Sequence, residues 1–142
     1  MSFQASIARN RRLLKLFVST HVLSYRFSRG ALGARFNGLP VLLLTTIGRK
    51  SGKPQTVPVV YMKDEDRFII SPGLVHCPGW YLNLKNEPDA TVQIGPRTIR
   101  VRASEADPTE RDRLWTMVPP YWNEYQKTYP GPIPLLVLRP IP

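Results

Sequence analysis

Apolar side chains near the start of the chain recur at helical spacing. Leu14, Val18, Val22 and Tyr25 share one face, with Arg12, Ser19 and Arg26 on another. This pattern predicts an amphipathic helix from Ser6 to Ser28, stopped by Gly30 and Gly33. After Gly38 and Pro40 the period changes. Leu42, Leu43, Leu44, Thr45, Thr46 and Ile47 form a run that predicts a strand buried on both faces. Gly48 to Pro54 reads as a turn or loop. Thr56 to Met62 predicts a second strand, in which Pro58 marks a bulge or an edge because proline brings no backbone donor. Asp64, Glu65 and Asp66 form the next turn, and Arg67 to Ser71 a third strand. Short polar connections between the three imply an antiparallel meander.

Ser71 to Gly79 carries two prolines and two glycines and reads as a loop. Trp80 to Lys85 predicts a short helix closed by Asn86 and Pro88. Ala90 to Ile94 predicts a strand, Gly95-Pro96 a turn, and Thr98 to Ala103 a further strand. In the last, Ile99, Val101 and Ala103 alternate with Thr98, Arg100 and Arg102, the period of a half-buried strand. Asp107 suits an N-cap, with Pro108 at the first helical position and Glu110 placed for a capping box, so a helix runs to about Met117. Pro119-Pro120 breaks it. A second short helix or loop carries Tyr121, Trp122, Tyr125 and Tyr129, and Ile133 to Leu138 predicts a closing strand. The sum is one α+β domain (residues 30–142) with about six mostly antiparallel strands behind an N-terminal helix (residues 1–29). Such a sheet tends to close into a barrel and so remove its edges.

The chain's 142 residues suit one domain, and an apolar share of 42% is enough for a core. No run approaches the ~20 apolar residues of a membrane span. Arg9, Arg11, Arg12 and Lys15 interrupt any signal peptide, and Cys77 is the only cysteine. These features imply a reducing, cytoplasmic setting. Charge adds more. The net charge is +10, and the first acidic residue is Asp64. Ten basic residues precede Lys63 with nothing to balance them, whereas ten basic residues meet ten acidic ones from Lys63 onward. That asymmetry points to an anionic partner: phosphate, nucleic acid or an acidic lipid surface. The predicted N-terminal helix is then either an ordinary surface helix or a basic amphipathic helix on an anionic membrane.

Gly48-Arg49-Lys50-Ser51-Gly52-Lys53 is the strongest local signal. Two glycines let the backbone fold sharply, and three cations with a hydroxyl suit phosphate or polycarboxylate binding. The spacing is not that of a Walker loop, and a plain basic hairpin turn is the competing reading. The aromatic set Tyr121, Trp122, Tyr125 and Tyr129 could wall a flat ligand or simply pack the end of the barrel. A tyrosine hydroxyl there could donate a proton. His21 and His76 are the only histidines and no pair has metal-ligand spacing, so no metal site is expected. Cys77 beside His76 is a weak candidate for a thiol nucleophile, and hydrolysis is poorly supported.

Leu39-Pro40-Val41-Leu42-Leu43-Leu44-Thr45-Thr46-Ile47-Gly48-Arg49-Lys50-Ser51-Gly52 closely resembles a signature of the deazaflavin-dependent nitroreductase family of actinobacteria. Trp80-Tyr81-Leu82-Asn83-Leu84 with Asn86 and Pro88 resembles its second signature, and Pro132-Ile133-Pro134 its ending. The similarity runs from about Gly30 to the C-terminus. The resemblance implies a split β-barrel that binds coenzyme F-420, an 8-hydroxy-5-deazaflavin with a phospholactyl-oligoglutamate tail, and passes a hydride to quinones, nitroaromatics or other activated acceptors. It further implies that Arg49, Lys50, Ser51 and Gly52 hold the anionic tail. The ring would lie beside Thr56, Val57, Pro58 and Ser71, with Trp80 and Tyr81 near the loop that closes over the tail. Tyr125, then Tyr121, are the expected proton donors or substrate wall. Two departures stand out: Gln55 occupies a position where the family often has arginine, and Ser71-Pro72-Gly73-Leu74-Val75 lacks a frequent lysine.

Three functions remain distinguishable at this point. One is a deazaflavin-dependent reductase of a hydrophobic acceptor, which some relatives carry out at the membrane through their N-terminal helix. Another keeps the fold and binds FMN. The third is a non-catalytic basic module for anionic lipid or nucleic acid, weakened by the absence of any helix-turn-helix or RNA-binding signature. Split barrels often pair through their sheets, so a homodimer is an open expectation.

Overall fold

The computed structural model describes residues 35–36, 39–72 and 78–142. The expected helix over 6–28, with His21, and the loop positions 73–77, with His76 and Cys77, lie outside the described residues. Eight strands form the sheet: β1 (Arg35–Phe36), β2 (Leu39–Ile47), β3 (Pro54–Val60), β4 (Met62–Asp64), β5 (Arg67–Ile70), β6 (Asp89–Ile94), β7 (Arg97–Glu105) and β8 (Leu136–Pro140). Three helices accompany them: α1 (Gly79–Asn86), α2 (Pro108–Trp115) and α3 (Pro120–Thr128).

Every pairing is antiparallel, in the order β1-β2-β6-β7-β8-β5-β4, with β3 also on β2. One residue, Tyr61, separates β3 from β4. Its amide donates to the Pro40 carbonyl at 3.2 Å. The segment therefore pairs with β2 through its first part and with β5 through its last, and the path of strands closes into an α+β barrel. The barrel is split where the segment changes partner. Met62 pairs with Ile69, but a continued register would bring Ser71 opposite Val60, and there β3 has already turned to β2. The meander is thus present with its middle strand divided. Pro58 marks an edge rather than a bulge: β3 pairs only with β2, in unbroken register from Val41↔Val60 to Ile47↔Pro54.

Leu42 and Leu44 of β2, Val59, Phe68, Ile70, Val92, Val101, Leu136 and Leu138 fill the barrel. Tyr81 and Leu84 of α1 pack against them. β2 meets the expectation of two buried faces only in its first half. Val41 and Leu43 are buried, but the outer face opens at Thr45, and Ile47 is 38% exposed. On β7, Val101 and Ala103 are buried while Arg100 and Arg102 face solvent, as the alternation requires.

Between β7 and β8 the chain leaves the sheet through α2 and α3, yet the two strands pair directly. This excursion covers the outer face of β5 and β8: Ile69 and Val137 pack with Leu114, Val118, Trp122 and Leu135. The closing strand starts later than its hydrophobic run suggests. The Ile133 amide donates to Gln126 Oε1 at 2.8 Å and its carbonyl accepts from Arg111. Both backbone groups are already satisfied by side chains, so pairing begins only at Leu136.

Asp107 caps α2 by accepting from the Glu110 amide at 2.8 Å. Glu110 does not complete a capping box; its carboxylate instead accepts from Arg67 at 3.1 Å and lies 3.8 Å from Arg139. α2 buries only Leu114, worth about 2–3 kcal/mol, so ion pairs decide how firmly it docks. Asp64, 7% exposed, accepts from Arg67 and from both Arg113 terminal nitrogens, at 3.2 and 2.9 Å. Hydrogen bonds from Arg113 and then Arg67 lower the Asp64 pKa from its ordinary 3.8 to about 2.

A carboxylate depressed in the folded state stabilises the fold above its unfolded pKa, and that stability is lost as pH falls through the folded value. Asp64→Asn is therefore expected to cost about 1–2 kcal/mol at neutral pH. The difference between parent and variant should shrink as pH falls from about 4 to about 2. Urea unfolding across that range checks it; a constant difference contradicts it.

Candidate functional site

The β2–β3 connection forms a tight turn. The Gly48 amide donates to the Lys53 carbonyl and the Gly52 amide to the Gly48 carbonyl, each at 2.8 Å. Gly52 has φ +70°, a conformation that favours glycine. At Gly48 the constraint is space: a Cβ would lie 2.5 Å from Ser51 Oγ and 2.9 Å from Gln55 Nε2. Ser51 Oγ accepts from the Lys53 amide at 3.1 Å, which leaves its O–H to donate elsewhere. Lys50, Ser51, Gly52 and Lys53 are exposed.

Arg49 turns toward α1. Its amide and its Nη1 both donate to Asn83 Oδ1, at 3.1 and 3.0 Å, and Nη1 reaches the Gly79 carbonyl at 3.5 Å. These acceptors are all neutral. Among the described residues, none of the ion pairs involves Arg49, Lys50 or Lys53. Three cations therefore stand together without a carboxylate, and Arg49 is held in a set pose. That arrangement can hold an anion through charge-assisted hydrogen bonds.

β3 leads from this turn to the split in the barrel, a span of about 20 Å at a strand's rise per residue. Thr56 Oγ1 lies 2.8 Å from Thr45 Oγ1, so its hydroxyl is engaged within the sheet. Val57 packs on the barrel core. Along this stretch the backbone edge, rather than side-chain hydroxyls, is what β3 can offer a flat ligand. At the far end stands Ser71. Its Oγ is buried and has no hydrogen-bond partner among the described residues. A buried hydroxyl left unmatched costs about 1–3 kcal/mol, which a ligand atom could recover.

The other expected residues divide. Trp80, half-buried, follows Gly79 and so lies beside the Arg49 contact. Tyr81 belongs to the core of the barrel. Its ring is buried in the barrel core and its hydroxyl donates to Glu105 Oε1 at 2.7 Å, with Lys85 Nζ 4.8 Å from the ring centre. Tyr121 and Tyr125 meet edge-to-face, centroids 5.1 Å apart, in the outer layer with Trp122. Burial pushes the Tyr121 hydroxyl up to about 12 and raises that of Tyr125, so both keep their protons at neutral pH. No hydrogen bond or ring contact among the described residues joins these tyrosines to the basic turn.

Two participants escaped the sequence reading. Asn83 is fully buried and bonds the turn; its signal was an amide between Leu82 and Leu84 in a short apolar helix. Gln55, read as a lost cation, accepts from Asn83 Nδ2 at 3.0 Å. Among the described residues no His, Cys, Asp and Glu cluster could hold a metal, and no helix is long and apolar enough to cross a membrane.

Residues 17–140 match the profile of the F420H(2)-dependent quinone reductase family. The F420H(2)-dependent quinone reductase Rv1261c of Mycobacterium tuberculosis is 37% identical over 128 residues, which cover 83% of this chain and 86% of that protein. The solved structure of the F420-H2 dependent reductase FDR-A is similar with a TM-score of 0.62 and 31% identity, over 70% of this chain and 94% of that one. A further structure, a domain-swapped dimer, aligns with a TM-score of 0.66 and 26% identity over 85% of this chain and 93% of that one. With residues 17–140 matched by the family profile and a relative 37% identical over 83% of its length, this chain belongs to the F420H(2)-dependent quinone reductase family.

Proposed function

We propose that this chain is an oxidoreductase that takes a hydride from reduced coenzyme F-420 and delivers it to a hydrophobic acceptor, a quinone or a nitroaromatic. The observation that carries this reading is the cationic turn before β3, which has no counter-ion among the described residues, together with Ser71 Oγ after β5, buried with no partner among them. These residues fit the group. An anionic tail suits Arg49, Lys50, Ser51 and Gly52, with Lys53 adding charge. A planar ring suits the β3 edge at Thr56, Val57 and Pro58, with Ser71 to bond a polar ring atom. When bound, the reduced deazaflavin supplies the hydride.

The protein's own contribution is to hold and orient. Arg49, fixed on α1, sets the tail; Trp80, next to Gly79, is the residue to cover that end. Tyr125 and Tyr121 keep their protons and serve as hydrogen-bond donors to an acceptor oxygen on which charge develops. The FMN and nucleic-acid readings are not favoured by the family assignment.

Arg49→Ala combined with Lys50→Ala should weaken binding of oxidised coenzyme F-420 by at least about tenfold, since two charge-assisted contacts at about 1.5 kcal/mol each are removed. Fluorescence titration reads this, and unchanged affinity removes the tail from the turn. Tyr125→Phe should lower the rate of quinone reduction while leaving cofactor affinity unchanged; a loss of affinity instead would make Tyr125 a cofactor residue.

Peripheral contact with the inner face of the membrane through residues 6–28 is also proposed, supported by the eleven basic residues that precede the first acidic one, five of them within that segment. Removal of residues 1–29 should abolish co-sedimentation with anionic liposomes and keep cofactor binding. Equal sedimentation with and without them rejects the contact. The related domain-swapped dimer supports a homodimer of this chain, which light scattering should report as twice the 16.2 kDa chain mass.

A further inference from the structure

Asn83 stands mid-helix, where asparagine is a poor helix former, and it is 0% exposed, where an unmatched amide is costly. Its hydrogen-bonding capacity explains its presence. A carboxamide has two acceptor lone pairs and two donor hydrogens. Oδ1 accepts from the Arg49 amide and from Arg49 Nη1. Nδ2 donates to Thr46 Oγ1 and to Gln55 Oε1, each at 3.0 Å. All four positions are filled, and every partner belongs to the β2–β3 hairpin. No other side chain of this size can accept twice and donate twice. Aspartate cannot donate, and leucine can do neither.

The direction of the bonds is forced. Arginine only donates, so Asn83 must turn its oxygen to Arg49. Its nitrogen then faces Gln55, which must answer with oxygen. That leaves Gln55 Nε2 on the side of the turn, packed against Gly48 close to Ser51 Oγ. Arg49 thereby fixes, through Asn83, the way residue 55 presents a donor. One guanidinium, one amide and one hydroxyl converge on the turn in a single preset arrangement. Gln55 in this role is a neutral donor.

We propose that Asn83 is the positioning residue of the anion site. It does not touch the ligand; it holds Arg49 and orients Gln55 so that the donors meet the cofactor's anionic tail without reorganising. This rests on the reading that the basic turn holds that tail. Preset donors raise affinity because the ordering of long side chains is complete before binding. The effect should therefore appear only with a ligand that carries the tail.

The test compares oxidised coenzyme F-420 with its tail-less 8-hydroxy-5-deazaflavin riboside, both by fluorescence titration, on parent, Asn83→Leu, Arg49→Ala and the double variant, with Tm recorded for each. The parent should bind the full cofactor more tightly than the riboside. Asn83→Leu, which removes all four bonds and adds no charge, should narrow that gap by about tenfold, with riboside affinity within about twofold of the parent, a loss near 1.4 kcal/mol. In the Arg49→Ala background the same change should cost little more, because Asn83 acts through Arg49.

A full gap retained in Asn83→Leu, or losses that simply add, overturns the positioning role and leaves the tail on the turn. Equal loss of both ligands also overturns it, because that is what a purely structural residue would give. No gap in the parent overturns the tail assignment and this inference with it. If Asn83→Leu does not fold, Thr46→Val takes its place: it removes the hydroxyl that accepts from Asn83 and keeps the backbone pairing with Gln55, so a gap narrowed about threefold supports the role whereas an unchanged gap refutes it.

Discussion

One segment of this chain has to be a strand for two partners at once. From Pro54 to Val60 it belongs to β2; from Met62 to Asp64 it belongs to β5; Tyr61 is the joint. Because a strand has only two edges, changing partner part-way leaves β3 with a single pairing and separates it from the end of β5. The split, the edge and the position of Ser71 all follow from that one change. Pro58 is tolerated for the same reason, since a proline suits a strand paired on only one side. The closure also sets where the basic turn stands. The turn is the end of the β2–β3 hairpin, and α1 docks against β2 there to meet it.

The two populations of charge in the molecule are treated in opposite ways. Asp64, Arg67, Arg113, Glu110 and Arg139 neutralise one another and fasten α2 to the sheet. Arg49, Lys50 and Lys53 are given no counter-ion, and Arg49 is steadied only by neutral oxygens. Neutral acceptors fix a guanidinium without cancelling its charge. That distinction separates a cation used for cohesion from one kept available for a ligand.

Most of the fold was legible because it rests on local rules. Alternation at Ile99, Val101 and Ala103 reports one buried face, and Asp107-Pro108 reports a helix start, as both turned out. Failures came where a distant partner overrode a local preference. Ile133 reads as strand but spends its backbone on Gln126 and Arg111. Glu110 reads as a capping-box residue but is drawn to Arg67, which lies 43 residues away in sequence. The turn itself was plain from its glycines and cations. Asn83 was not, because an amide's value lies in four simultaneous bonds, and the three residues that make them all lie 28 to 37 positions away.

The path between β7 and β8 deserves a reading in terms of inheritance. The strands pair with each other directly, so the barrel does not need α2 and α3 to close; it carries them as an inserted flap bearing Tyr121, Trp122 and Tyr125. The basic turn belongs to a different hairpin altogether. Substitutions or length changes in the flap can therefore accumulate without disturbing Gly48, Arg49 or Asn83. A lineage built on this plan can vary that one insertion while the turn and the amide that holds it stay as they are.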